Sequence, residues 1–250
     1  MRIDETKCTG CLKCVPYCPM AAIAKVPNRR LAAIDEDECV ECGVCLRAEV
    51  CASGALYQQP LEWPRVLRAT FSDPRVEHKD TGVPGRGTEE MKTNDVTGRF
   101  GPGHVGMAVE LGRPGTGARL YDVEKVAKVV ASMGLPIEPK NPVTFLMTDV
   151  KTGKFRDDVL NEKVLSAIVE FDAELHQVPE IVARLNEVAK EVDTVFSVDL
   201  ISLVDPDGTV PVEKLDLASL GRPLSINGKT NVGLGRPKAK SLEGYVNESH

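Results

Sequence analysis

The sequence predicts an α+β protein with two unlike domains, and two observations support this prediction. All eight cysteines of the 250-residue chain lie between residues 8 and 51. From residue 105 onward, apolar residues alternate between the two-residue period of strands and the 3.6-residue period of helices. We therefore expect a small cysteine-rich domain over residues 1–60, an extended connector over 61–104, a βαββαβ sandwich over 105–207 and an irregular, basic tail over 208–250.

The cysteines form two runs of similar spacing. The first contains Cys8, Cys11, Cys14 and Cys18 and is followed by Pro19, and the second contains Cys39, Cys42, Cys45 and Cys51. The Cys-x2-Cys-x2-Cys-x3-Cys-Pro spacing of the first run indicates iron–sulfur clusters, because three thiolates two residues apart can wrap three corners of a cubane. A structural zinc site is the weaker alternative, since it typically takes two separated cysteine pairs. In a cytoplasmic chain, such crowding of cysteines favours metal over disulfides.

Residues 1 to about 60 resemble the bacterial-type ferredoxins that carry two [4Fe–4S] clusters. Beyond the two runs, CPMAAI at 18–23 and CASGAL at 51–56 occupy equivalent places, and RLAAIDEDEC resembles the hairpin strand that leads into the second run. The resemblance implies two [4Fe–4S] clusters with crossed ligation. One cluster would be held by Cys8, Cys11, Cys14 and Cys51, and the other by Cys39, Cys42, Cys45 and Cys18.

The second run departs from the ferredoxin pattern. Residues 46–50 add two positions before Cys51, and Ala52 stands where the first run has Pro19. We expect the longer loop to change the surroundings of the cluster that Cys51 serves, because solvent access and hydrogen bonds to sulfur tune the reduction potential. The alternative is a three-iron cluster without the fourth ligand.

The second domain is predicted from six periodic segments. VGMAVEL (105–111), VTFLMTD (143–149), VLSAIVEFDA (164–173) and TVFSVDLISLV (194–204) have strand patterns, whereas residues 122–136 and 178–192 have helical spacing. Asp122 is expected to cap the first helix, and Gly134 with Pro136 to end it. The order βαββαβ predicts two helices packed on a four-stranded antiparallel sheet.

Within this domain, LGRPGTGARLYDVEKVAKVVASMGLPI resembles the opening of an ACT domain, and residues 169–201 are similar to its second half. The resemblance implies association of two copies into a homodimer. It also implies a small ligand, commonly an amino acid, at the first turn, where Gly112, Gly115 and Gly117 would lie near a helix N-terminus. The alternative is that these glycines only permit a tight turn.

The connector and the tail have little periodicity. Trp63 is expected to pack at a domain junction, and His78 and His104 are expected to have structural or surface roles. The tetrapeptide LGRP occurs at 111–114, 220–223 and 234–237, which indicates turn chemistry at each place. We expect the tail to lie over a surface of the protein.

Several functional classes are excluded by what the sequence lacks. No nucleotide-binding or catalytic-triad motif occurs, so no catalytic site is expected. A net charge of −6 and an acidic body argue against nucleic acid as a partner. No apolar run is long enough for a membrane helix, and the absence of a signal peptide predicts a cytoplasmic protein.

The sequence therefore predicts an electron-transfer protein or subunit. It would carry single electrons through two [4Fe–4S] clusters to or from a partner oxidoreductase, with the ACT-like domain serving dimerisation or docking. The alternative is a ligand-responsive regulator or accessory factor of an anaerobic pathway, because ferredoxins fused to the related NIL domain resemble this architecture.

Overall fold

The computed structural model describes residues 1–79, 81–82, 98–113 and 115–221. It contains a cysteine domain (residues 1–60) and a body (residues 104–221), and its mixture of helices and strands confirms the α+β class. Within these ranges no helix is both long and apolar enough to cross a membrane. The second and third LGRP segments and most of the predicted tail lie outside the described residues.

The cysteine domain is built from two small antiparallel pairs of strands and one short helix. β1 (Arg2–Ile3) pairs with β4 (Leu56–Tyr57), and β2 (Ile23–Lys25) pairs with β3 (Ala32–Ile34). The helix α1 (Val44–Arg47) lies within the second cysteine run. The predicted hairpin strand before that run is confirmed as β3.

The predicted extended connector is wrong over residues 66–72. The helix α2 (Val66–Ser72) forms there, and six of its seven residues are buried. Leu67 and Phe71, four residues apart on one face, belong to the same hydrophobic core as the body. Packing of this face against the body stabilises a helix that is too short to be stable on its own.

The centre of the body is a three-stranded antiparallel sheet. Its strands are β5 (His104–Leu111), β10 (Ala167–Glu174) and β11 (Phe196–Ser202), and β5 lies between the other two. The predicted strands at these places are confirmed, because Val105, Met107, Val109 and Leu111 alternate into the core as expected.

Two helices pack on one face of this sheet. They are α3 (Leu120–Ser132) and α4 (Val178–Val188), and their apolar faces share one core with the sheet. Asp122 does not cap α3, because the helix begins two residues earlier. The buried Asp122 carboxylate instead accepts a hydrogen bond from Lys125 Nζ at 2.8 Å. Gly134, with φ of +72°, follows the end of α3 as expected.

The predicted strand over residues 143–149 is wrong in extent and in partner. Residues Thr144–Leu146 form a 3-10 turn, and only β7 (Met147–Asp149) is extended, pairing with β8 (Lys154–Phe155) outside the main sheet. The reason is local: the Asn141 side chain accepts the N–H of Val143 at 2.7 Å, which starts a turn instead of a strand.

The place of a fourth strand is taken by a single bridge. Ile137 pairs with Phe171 of β10, flanked by a hydrogen bond from the N–H of Glu138 to the carbonyl of Glu170 at 2.8 Å. A further pair outside the main sheet joins β6 (Ala118–Arg119) to β9 (Lys163–Val164). The described beginning of the predicted tail contains two 3-10 turns, and its Leu217 is buried in the body core.

Candidate metal centres

The structure brings the eight cysteines together as two groups of four, each around its own cavity. The outer cavity is lined by Cys8, Cys11, Cys14 and Cys51, and the inner cavity by Cys18, Cys39, Cys42 and Cys45. Each cavity therefore receives three cysteines from one run and the fourth from the other run.

The two fourth cysteines have equivalent backbone surroundings. Cys18 Sγ accepts a hydrogen bond from the N–H of Ala22, and Cys51 Sγ accepts one from the N–H of Ala55, each at 3.2 Å. A donor four residues downstream orients each sulfur and stabilises negative charge on it, as hydrogen bonds to a metal ligand do. The longer loop before Cys51 leaves this arrangement unchanged.

The residues that line each cavity fit an iron–sulfur cubane. All four potential ligands are thiols, which suit iron in iron–sulfur clusters, and the rest of the lining is largely apolar. Among the described residues no group of three or more His, Cys, Asp or Glu side chains is arranged to hold a metal ion. The donor set of each cavity, four thiols, therefore suits a cluster by its chemistry.

The inner cavity is more deeply buried than the outer one. Cys42 and Cys45 are each 8% exposed, whereas Cys11 of the outer cavity is an exposed residue. Met20 and Val40, which line the inner cavity, belong to a small hydrophobic cluster against which Leu165 of the body packs. The body thus covers one side of the inner cavity.

Burial and hydrogen bonding shift the pKa values of the thiols differently in the two cavities. Burial raises the pKa of Cys39 and Cys42, and it raises the pKa of Cys45 to about 12. In the outer cavity the backbone N–H of Lys13 lowers the pKa of Cys11. Burial also opposes ionisation of Cys51, yet hydrogen bonds from Ser53 and neighbouring backbone N–H groups leave its pKa lowered. The outer cavity is not uniform, because burial raises the pKa of Cys14.

Ion pairs join the body to the segment that precedes Cys39. Arg119 Nη2 lies 2.7 Å from Asp37 Oδ2 and 3.1 Å from Glu38 Oε1. Lys163 forms an ion pair with the same Glu38. The N–H of Leu165 donates to Ser72 Oγ at 2.9 Å, which also ties the body to α2.

Residues of the longer loop contact the outer cavity and the backbone of Cys42. Val50 lines the outer cavity, and an effect of the longer loop on the cluster that Cys51 serves stays a prediction. Arg47, one residue after Leu46 in this loop, points the other way and donates from Nη2 to the carbonyl of Cys42 at 2.8 Å. No sequence pattern indicates this second contact.

The glycine turn of the body lies against the cysteine domain. A Cβ on Gly117 would come within 2.6 Å of Met20 Cε, and one on Gly112 within 2.7 Å of the carbonyl of Leu165. All three glycines have positive φ, but a Cβ on the exposed Gly115 would make only an ordinary contact with Pro19. Close packing therefore accounts for Gly112 within the body and for Gly117 at the junction, and a ligand at this turn stays a prediction.

The remaining residues singled out in the sequence have structural or surface positions. Trp63 is 47% exposed and donates from Nε1 to Asp158 Oδ2 at 2.6 Å, which joins the connector to the body as expected for a junction residue. His78 is buried beside Phe145, and His104 is exposed at the start of β5. The sequence did not predict that Leu165 packs against the residues of the inner cavity, because no local pattern distinguishes this residue.

Comparison with known proteins agrees with this geometry for the cysteine domain. Residues 1–62 match the family model described as a 4Fe-4S dicluster domain. Two proteins named Ferredoxin-1, both from Rhodobacter capsulatus, are 45% identical to the chain over 42 residues. The match covers 17% of this chain and 62% of each relative, so the chain spans less than two thirds of these ferredoxins.

No solved structure matches the chain. The body therefore has no relative among these comparisons, and its likeness to an ACT domain stays a prediction. Residues 1–62 are similar to a 4Fe-4S dicluster domain and, in part, to a ferredoxin, which supports [4Fe–4S] clusters and electron transfer for this part of the chain.

Proposed function

We propose that the protein carries single electrons through two [4Fe–4S] clusters, to or from a partner oxidoreductase. The observation that carries this proposal is the arrangement of the eight cysteines as two complete sets of four around two cavities. A [4Fe–4S] cluster supplies one-electron transfer when it is bound. The ligands would be Cys8, Cys11, Cys14 and Cys51 in the outer cavity, and Cys39, Cys42, Cys45 and Cys18 in the inner cavity.

The chain's own residues supply binding, orientation and exclusion of water. The N–H groups of Ala22 and Ala55 hold the two fourth sulfurs, and the apolar lining keeps water from the inner cavity. Each thiol must lose its proton when a metal binds, because thiolates are the ligands, and the raised pKa of Cys45 makes this loss harder there. The exposed outer cavity is where we place electron exchange with the partner.

Iron and sulfide assays with low-temperature EPR on anaerobically purified, reduced protein test this function. The expected result is two four-iron clusters in each chain. Stoichiometric zinc with negligible iron would reject the proposal and favour the zinc alternative. A three-iron signal from the outer cavity of anaerobically oxidised protein would favour the alternative in which Cys51 is not a ligand.

We also propose that the body associates two copies of the chain, in keeping with its resemblance to ACT domains. Among the described residues β11 pairs with β5 alone, and the neighbouring Val195 is 46% exposed. An open strand edge is a template for pairing with another chain. Residues 143–149, which were predicted as a strand of this sheet, do not form its edge, because they lie outside it.

Sedimentation of two single variants tests this association. Val195→Lys places a charge beside the β11 edge and is expected to shift a dimer towards monomer. Val150→Lys is the matched control, since Val150 is similarly exposed, at 41%, but lies in the turn between β7 and β8. A wild-type monomer, or equal effects of both variants, would contradict pairing through β11.

The regulator alternative places a small ligand at the turn of Gly112, Gly115 and Gly117. Because this turn packs against Pro19 and Met20 of the inner cavity, a ligand there would act on the junction with the cysteine domain. Calorimetry with the common amino acids tests this alternative. Absence of binding across the set would leave these glycines with packing roles alone.

A further inference from the structure

A buried arginine of α2 joins the body to the loop that carries three cysteines of the inner cavity. Arg68 is only 4% exposed. Its Nη1 lies 3.0 Å, 2.8 Å and 2.9 Å from the carbonyl oxygens of Glu36, Asp37 and Cys39. The Nε–H of the same guanidinium donates to the carboxylate of Glu162 in the body. One side chain therefore connects the backbone at Cys39 to the body.

Burial makes these contacts mutually dependent. A guanidinium removed from water needs hydrogen-bond acceptors, and an unpaired buried charge is strongly unfavourable. Three carbonyls can converge on one nitrogen only if the backbone over residues 36–39 turns towards Arg68. The position of Arg68 thus sets the position from which the Cys39 side chain enters the inner cavity.

A second arginine makes a parallel contact at the next cysteine of the loop. Arg47 Nη2 donates to the carbonyl of Cys42, and its Nη1 lies 2.7 Å from the Oδ2 of Asp73, the residue that follows α2. The arginine contacts to the carbonyls of Cys39 and Cys42 therefore both depend on the position of α2. In the part of the chain that the structure describes, no arginine donates to the carbonyl of a cysteine that lines the outer cavity.

We propose that Arg68 is a positioning residue for the inner cluster and makes its retention depend on docking of the body. This inference rests on the proposed function, because it concerns Cys39 as a ligand of that cluster. Contacts that orient a metal ligand typically change metal affinity about 10–100-fold when they are lost. The effect of losing Arg68 falls on the inner cluster alone, since its contacts reach only that loop and the body.

The test compares Arg68→Met and Arg68→Lys in the full-length protein loaded with iron and sulfide. EPR signals are assigned to the two cavities with the reference variants Cys11→Ser and Cys42→Ser. Arg68→Met is expected to release inner-cluster iron to a chelator about tenfold faster and to shift only that cluster's signal and reduction potential. Arg68→Lys keeps the charge, but one Nζ cannot contact both the carbonyls and Glu162, so its effect should be intermediate.

Two further variants distinguish a positioning role of Arg68 from a general loss of stability. Arg119→Met is the matched control, because Arg119 also crosses the junction but contacts the Asp37 carboxylate and no carbonyl of a cysteine. The double variant Arg68→Met/Glu162→Met removes the carboxylate that would be left unpaired. An effect on the inner cluster that persists in this double variant comes from the lost carbonyl contacts.

Equal effects of Arg68→Met and Arg119→Met on the inner cluster would overturn the proposal. So would an unchanged inner cluster in an Arg68→Met chain that holds both clusters. If Arg68→Met does not fold, Arg68→Lys carries the same comparison with Arg119→Met. Wild-type protein without iron would instead reject the proposed function, so the two failures are distinguishable.

Discussion

The inner and outer cavities have the same cysteine pattern but different surroundings. Each has a fourth sulfur that accepts an N–H bond at 3.2 Å from four residues downstream. The outer cavity presents Cys11 to solvent, whereas the inner cavity has Cys45 buried and Leu165 of the body packed beside it. A short sequence motif thus sets the geometry of the ligands, while residues far along the chain set their burial.

The largest expected effect comes from exchanging the two fourth cysteines for serine. Cys18→Ser should remove the inner cluster and leave the outer one, and Cys51→Ser should do the reverse, because each lines the cavity of the opposite run. The loss of each cluster is measured by iron content and EPR. Cys42→Ser and Cys11→Ser serve as reference variants for the inner and the outer cluster. If Cys51→Ser resembles Cys42→Ser more than Cys11→Ser, the two runs bind their clusters independently.

The second prediction concerns the reactivity of thiols in metal-free protein. The pKa of Cys45 is raised from 9.0 to about 12, whereas that of Cys11 is lowered. Because a higher pKa leaves less thiolate at neutral pH, Cys45 should hold much less thiolate than an ordinary cysteine. Only the thiolate is alkylated by iodoacetamide, so Cys11 should react first as the pH rises.

Mass spectrometry of peptides from protein alkylated at increasing pH measures these rates. The folded state is checked by circular dichroism on the same samples, and unfolded protein serves as the control in which the cysteines should react alike. Equal rates for Cys11 and Cys45 in folded protein would show that the two cavities do not differ in burial.

A smaller effect is expected from loosening α2 from the body. Phe71 is 1% exposed in the body core, so Phe71→Ala should lower the free energy of unfolding by about 3–5 kcal/mol. Because α2 carries Arg68, iron should also leave the inner cavity sooner than the outer one. Urea unfolding followed by circular dichroism measures the stability.

The control for this change is Leu46→Ala. Leu46 is 36% exposed, and its truncation should change the free energy of unfolding by less than about 0.5 kcal/mol. A similar loss in both variants would mean that α2 is not anchored through its buried face.

The smallest effect is expected at an exposed ion pair near the outer run. Arg29 Nη2 lies 3.0 Å from Glu5 Oε2, and both side chains are more than half exposed, at 57% and 62%. Arg29→Gln should change stability by less than about 1 kcal/mol, since exposed pairs are screened by solvent. A selective change in the EPR signal of the outer cluster would show that an exposed arginine can matter there as Arg68 does at the inner cavity.

The cysteine domain was more predictable from sequence than the body, for physical reasons. Three ligands of each cavity lie within a few residues of one another, so spacing alone groups them. The assignment of Cys18 and Cys51 to the opposite runs came from the resemblance to ferredoxins, because spacing cannot reveal a distant fourth ligand. The regular elements of the body were predictable where periodicity was long, as in β5 and α3.

The misses occurred where tertiary contacts decide the local structure. Val143, Thr144 and Phe145 favour strands, but strand preference depends on available partners, and the turn at Asn141 directs them elsewhere. The helix α2 is only seven residues long, so Leu67 and Phe71 give a single helical repeat. The role of Arg68 depends on carbonyls of a distant loop, which no sequence period encodes.

The cover that Leu165 provides for the inner cavity also has a consequence for how the protein is made and maintained. All eight cysteines leave the ribosome well before Leu165, by an interval on the order of ten seconds at typical rates of synthesis. During this interval the inner cavity lacks its cover and is accessible to a donor of iron and sulfide. In the finished protein Leu165 packs against Met20 and Val40 of the inner cavity, whereas Cys11 of the outer cavity is exposed. We therefore expect damage at the outer site to be repaired in place, whereas an inner site once emptied is refilled only after the body has opened.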